Sequence, residues 1–136
     1  MKQPEDVARR MSRDWLAKAA VDLLVCERLE GADLSEAVAF HAQQAAEKSI
    51  KALLVARQVE FPKTHDIERL VELVASGDGS LAAALADAAE LTPYGVEYRY
   101  PGDHAPVSYA EARKCVSRAR TVYDEVVLRL SDAAGQ

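Results

Sequence analysis

The chain has 136 residues, 49% of them hydrophobic but only 6% aromatic, with two cysteines and a formal net charge of −5. That length bounds one domain, residues 1–136, able to bury a core without disulfides or a structural metal. The acidic balance excludes a protein that coats nucleic acid by bulk charge; with no apolar h-region and no run of the ~18 apolar residues a span needs, a soluble cytoplasmic protein is expected, with no membrane contact.

Alanine and leucine with Glu, Lys and Arg are helix formers, and period-two β-branched runs are missing, so the fold class expected is all-α. The first helix is predicted over Asp6–Leu29, with Trp15, Leu16, Ala19, Ala20, Leu23 and Leu24 on its apolar face. Gly31 ends it. Asp33 and Glu36 have capping-box spacing and are expected to open a second helix running to Gln58. Its buried side is Val38, Ala42, Ala45, Ala46, Ile50, Leu53 and Leu54.

Thr64 is the predicted N-cap of a short third helix that buries Ile67, Leu70, Val71 and Val74. Ser76–Gly79 breaks it. A fourth, alanine-rich helix is expected over Ser80–Leu91, and the Pro- and Gly-rich stretch Thr92–Val107 reads as a long ordered loop. Ser108 and Glu111 form a capping box for the last helix. Its seam is Tyr109, Ala112, Val116, Ala119, Tyr123, Val126 and Leu130. The core thus runs from about residue 6 to 130, followed by a frayed polar tail, 131–136. Cys26 and Cys115 form no CxxC pair and read as reduced, buried residues.

One stretch, "FHAQQAAEKSIKALL" (Phe40 to Leu54), is unusually polar for a core helix. His41, Gln44 and Lys48 stack at i, i+3, i+7; Gln43, Glu47 and Lys51 stack beside them at i, i+4, i+8. Two readings stand: a solvated face with an ordinary Glu47–Lys51 pair, or a polar wall that orders a loop or a partner, here the segment from Thr92 to Val107. No Glu-x-x-His or His-Glu-x-x-His spacing occurs, so no metal site is expected. No Gly-x-Ser-x-Gly, GxxxxGK[ST] or GxGxxG is present either, and no cofactor is expected.

The heptapeptide "YRYPGDH" (98–104) carries Arg99 and His104. From Tyr94 to Arg120 the cations Arg99, Arg113, Lys114, Arg118 and Arg120 outnumber Glu97, Asp103 and Glu111, so this stretch of an acidic chain is locally basic. The segment reads either as a packed turn or as a phosphate site, with Arg113, Lys114 and Arg118 as candidate phosphate-binding cations.

Three features together, "FHAQQAAEKSIKALL", "KTHDIERL" (Lys63 to Leu70, with His65) and "YRYPGD", resemble the HEPN domain family, over about Ser12 to Leu130. The resemblance implies an up-and-down bundle of four to five helices, usually dimeric. Alanine-rich packing independently predicts a homodimer, because it leaves an apolar face on the first or last helix to be covered. The resemblance also implies interaction with RNA or a nucleotide and a separate minimal nucleotidyltransferase as protein partner, in a toxin–antitoxin-like pair. Active members are metal-independent RNases with an Arg-x4-6-His motif, which Arg99 and His104 fit. There arginine holds the scissile phosphate and histidine moves protons. The polar stripe of His41, Gln44, Glu47, Lys48 and His65 would support that site. The sequence departs from the catalytic pattern at Tyr100, where a polar residue usually follows the arginine. Pro101 and Gly102 are loop formers, and Pro106 stands where toxin-type members have tyrosine. The alternative is a non-catalytic HEPN module that binds a nucleotide or a protein.

Overall fold

The computed structural model describes residues 3–31, 33–96 and 105–134. Its helices are α1 (Pro4–Leu29), α2 (Ser35–Ala56), α3 (Ile67–Ala75), α4 (Gly79–Leu85), a 3-10 helix (Ala86–Leu91), α5 (Thr92–Val96) and α6 (Tyr109–Ala134). The architecture is an all-α bundle, and no strand occurs among the described residues.

The middle of the bundle is α2. It is buried on most of its surface, through the apolar Val38, Ala39, Ala42, Ala45, Ala46, Ile50, Leu53 and Leu54 and the polar Gln43, Glu47, Ser49 and Lys51, and such a helix must be covered on several sides. On one side lies α1. Ser12 Oγ donates to the Ala52 carbonyl at 2.8 Å, Lys48 reaches Asp22, and Cys26 Sγ donates to the Val38 carbonyl at 3.4 Å. Rising numbers on α1 meet falling numbers on α2, so the two run antiparallel. Another side is covered by α6, through Ala112, Cys115, Ala119, Val122 and Val126.

The short helices close the remaining side and are tied to α6. Arg129 donates to Asp78 at 3.0 Å, Arg118 pairs with Glu90 at 2.6 Å, and Glu111 accepts from the Tyr94 hydroxyl. Asp78 joins three elements. It caps α4 by accepting from Leu81 N at 3.0 Å, and Arg57 and Arg129 share its other oxygen. The backbone bond from Leu81, with the two arginines, holds this carboxyl below its ordinary value.

Several local expectations are corrected. Asp33 and Glu36 form no capping box: Asp33 adopts φ +60°, and α2 starts after Leu34 without a side-chain cap. Gly31, at φ +77°, and Asp33 both take the left-handed region in the α1–α2 turn, a conformation that Gly and Asp tolerate best. The cap of α3 is Asp66, which accepts from Glu68 N and Arg69 N, while Thr64 Oγ1 accepts from Asp66 N one step earlier. The expected fourth helix changes type at Ala86. Leu85, Ala88 and Leu91 are buried at a spacing of three, which is the 3-10 period. The first part of the expected loop, Thr92–Val96, is helical. On α1, Leu24 is 46% exposed, and the buried face includes Ser12 and Asp22 instead.

The last helix begins as expected in one respect: Ser108 Oγ accepts from Glu111 N at 3.0 Å. The Glu111 carboxylate turns to Tyr94 rather than completing the box. Ser108→Ala is expected to cost about 1 kcal/mol, read as a small fall in urea midpoint with an unchanged m-value.

Cys26 and Cys115 are both buried and free. Burial pushes both thiols up to about 11, assisted at Cys26 by the nearby Asp22 carboxylate. The thiolate is the reactive form, so iodoacetamide at pH 8 is expected to label neither residue in the native protein and both in denaturant. Mass spectrometry after quenching reads the difference. No helix among the described residues is long and apolar enough to cross a membrane.

Candidate functional site

Two hydrogen-bonded networks are built on α2, and both contain the polar stripe. The first joins α2 to α1. Asp22 is 5% exposed, on the buried face of α1. A carboxylate there is tolerable only if it is paired. His41 Nδ1 lies 2.8 Å from Asp22 Oδ1, and Lys48 Nζ lies 2.7 Å from Oδ2. Because the spacing of seven brings His41 and Lys48 onto one stripe two turns apart, a single carboxylate spans both. A carboxylate only accepts, so Nδ1 of His41 carries the proton and Nε2 is left on the opposite edge of the ring.

The second network joins α2 to the segment before α3. Glu47 and Gln43 are buried, and each is fully engaged. Glu47 Oε1 accepts from Gln43 Nε2 at 3.0 Å and from His65 Nδ1 at 2.9 Å; Oε2 accepts from Lys51 Nζ at 2.9 Å. Gln43 Oε1 accepts from Gln44 Nε2 at 2.7 Å, and Gln43 Nε2 also reaches the His65 carbonyl at 3.4 Å. Lys51 Nζ lies 5.5 Å from the centre of the Trp15 ring and 5.8 Å from that of Phe61, within cation–π range. Burial alone would raise the Glu47 carboxyl. The bonds from Lys51, Gln43 and His65 outweigh it and hold the group below its ordinary value of 4.5. The solvated-face reading of this stripe is therefore overturned at Gln43, Glu47 and Lys51, which form a polar core.

Gln43 also meets α5. A Cβ added at Gly95 would sit 2.6 Å from Gln43 Cδ and 2.7 Å from Oε1. The amide cannot swing aside without leaving Glu47, Gln44 and His65. Gly95→Ala is accordingly expected to cost about 1–3 kcal/mol, read by thermal melting. Gly95→Ala combined with Gln43→Ala is expected to cost less than the sum of the two single changes. The stripe meets Thr92–Val96 through Gln43 against Gly95, and His41, while its Nδ1 turns to Asp22, lines a cavity with Tyr94, Pro106 and Val107; Lys48 turns to Asp22, and 97–104 of the expected partner segment lie outside the described residues.

Beside His41 lies a cavity of about 580 Å³, lined by the α1–α2 turn and α2 residues Asp33 to Ala37, Phe40 and His41, and by Tyr94, Pro106 and Val107. A second cavity of about 400 Å³ lies between the C-terminal end of α1 and α6; Cys26, Glu30, Arg113 and Arg120 are among its lining residues. Arg99 and His104 lie outside the described residues. The three other candidate cations are not gathered into one patch. Arg113 faces α1, 3.9 Å from Glu30, with Tyr109 beneath its guanidinium. Arg118 pairs with Glu90, and Lys114, four residues away on the same stripe, is exposed. Among the described residues no group of three or more His, Cys, Asp or Glu could hold a metal ion.

Sequence reasoning missed Asp22. Its signal was its register: it falls three residues after Ala19 and four before Cys26, on the buried stripe of α1. It also gave no role to Tyr94.

The crystal structure of TT1696 from Thermus thermophilus is similar, with a TM-score of 0.68 and 28% identity, over 85% of this chain and 94% of that one. No curated protein matches. The family model of the HEPN domain matches residues 12–130, from the buried Ser12 of α1 to Leu130 of α6. The networks on α2 and the helices that close on them thus fall within one matched unit, and the chain belongs to the HEPN domain family.

Proposed function

We propose that the protein interacts with RNA as a metal-independent endoribonuclease, with Arg99 and His104 as its catalytic pair. In this reading His104 takes the proton of a ribose 2′-hydroxyl as the 2′-oxygen bonds to phosphorus. The bond from phosphorus to the 5′-oxygen breaks, and that oxygen takes up a proton from water, leaving a 2′,3′-cyclic phosphate and a 5′-hydroxyl end. Arg99 neutralises the charge that builds on the phosphate oxygens. The observation that carries the reading is the cavity beside His41, whose rim includes Tyr94 and Pro106. Those residues flank the Arg99–His104 segment in the chain.

The protein is further proposed to work as a homodimer and as the partner of a separate minimal nucleotidyltransferase in a toxin–antitoxin-like pair. Large apolar side chains on the outside of α1 (Met11, Val21, Leu24) and of α6 (Leu128) support an association surface. Light scattering at micromolar concentration is expected to give twice the monomer mass; the monomer mass would contradict the dimer. Arg113, Lys114 and Arg118 are proposed to steer the RNA backbone from outside the site.

The function is tested by incubating the protein with RNA in EDTA, alongside Arg99→Ala and His104→Ala. Cleavage by wild type alone supports the reading. If nothing is cleaved but a nucleotide or the nucleotidyltransferase still binds, the non-catalytic module is the correct description.

A further inference from the structure

We propose that the cavity of about 400 Å³ between α1 and α6 binds a free α-amino acid with an apolar side chain, its carboxylate on Arg120, its ammonium on Glu27 and its hydrocarbon on the floor between the helices. The inference goes beyond the RNA reading and does not depend on it.

The cavity follows from the packing. Both α1 and α6 rest on α2 and touch one another little, so a slot is left where they part, at the C-terminal end of α1. Its floor is apolar: Cys26 and Leu29 come from α1, Val38 from α2, and Ala112 and Val116 from α6. The buried Cys26, Val38 and Ala112 have the core behind them. A volume of about 400 Å³ over such a floor lies in the range of small-molecule sites.

The walls carry opposite charges. Glu27 and Glu30 stand on α1, with Asp33 in the turn after it; Arg113 and Arg120 stand on α6, seven residues apart and so on one stripe. Among the described residues these walls meet in one loose pair, Glu30 with Arg113 at 3.9 Å. Glu30 also accepts from the Tyr109 hydroxyl at 3.3 Å, and the Arg113 guanidinium lies over the Tyr109 ring. Those three residues engage one another. Glu27 and Arg120 are left over: both line the slot, and no side chain among the described residues pairs with either. Arg120 is also near enough to the floor for its charge to act on the Cys26 thiol.

Opposite walls over an apolar floor select a ligand with both charges and a hydrocarbon part. The four carboxylates of Glu27, Glu30, Asp33 and Asp124 oppose a phosphate ester, and the two arginines oppose a polyamine. Among the described residues the carboxylates are not gathered closely enough to hold a metal ion. An apolar α-amino acid has its two charges at one end and its hydrocarbon at the other, which is the arrangement the slot offers.

The test is calorimetric titration of the intact protein with L-leucine and L-phenylalanine. Each is compared with its amide, which lacks the carboxylate, with its deamino acid, which lacks the ammonium, and with glycine, which lacks the hydrocarbon. At least one of the two amino acids is expected to bind, and to bind about tenfold or more tightly than any of its three comparators, the worth of one charge-assisted hydrogen bond or one buried side chain. Arg120→Gln and Glu27→Gln are expected to weaken binding by a similar factor with circular dichroism unchanged, since both side chains are exposed. Arg69→Gln, on the surface of α3, should leave the affinity as it is. Binding that the amide and the deamino acid match, or that neither slot variant weakens, overturns the assignment. Absence of binding by both amino acids overturns it too; if Arg120→Gln then halves the mass in light scattering, the slot belongs to a second copy of the chain.

Discussion

Glu47→Ala is expected to destabilise the protein by about 3–5 kcal/mol, the cost of leaving a buried ionic partner uncompensated. For a chain of this size that is a fall in melting temperature of roughly 12–20 °C. Three groups lose their acceptor at once: Lys51, Gln43 and His65. Lys51 is the most sensitive to the loss, because its ammonium is buried and lies within cation–π range of Trp15 and Phe61. The paired change Glu47→Met with Lys51→Met is therefore expected to cost less than Glu47→Ala alone, since it removes both charges and fills the space. A cost below about 1 kcal/mol for Glu47→Ala would instead describe a solvated surface pair.

The same residue sets an acid limit. Its folded carboxyl titrates below the ordinary value of 4.5, because the bonds from Lys51, Gln43 and His65 exceed the effect of burial. The stabilisation is complete above that pH and is lost as the pH falls through the lower folded value. Glu47→Gln should start less stable and lose less stability between pH 5 and pH 3. Parallel urea titrations of the two proteins across that range measure it.

Much of the bundle was legible because helices declare themselves locally. The periodic apolar residues of α2 and α6 and the Ser108 cap depend on neighbours within one or two turns. What was not legible depends on residues far apart in the chain. Asp22 meets His41 and Lys48 across separations of 19 and 26 residues, and His65 meets Glu47 across 18. No window along the sequence shows that a charged stripe will be covered. Read locally, the Glu47–Lys51 spacing is that of any surface pair; only packing by Trp15, Phe61 and the segment before α3 makes it internal. The turn at Asp33 failed for a related reason. Its capping-box spacing was sound, but the chain must reverse sharply after α1, and a left-handed aspartate achieves that at the expense of the cap. For the candidate site, the sequence marked His41, Glu47, Lys48 and His65 as a group, and the fold divides them between two networks.

The central claim is metal-independent cleavage of RNA by the Arg99–His104 pair. Its most direct measurement is single-turnover cleavage of an RNA in excess EDTA by wild type, Arg99→Ala and His104→Ala, with the product ends identified. General acid–base catalysis and charge stabilisation by one donor are each worth about 10²-fold or more. The account predicts cyclic-phosphate ends from wild type and a loss of at least about 100-fold in either variant, with helicity and mass unchanged. Cleavage that persists in both variants, or a wild type inert toward RNA, would contradict it.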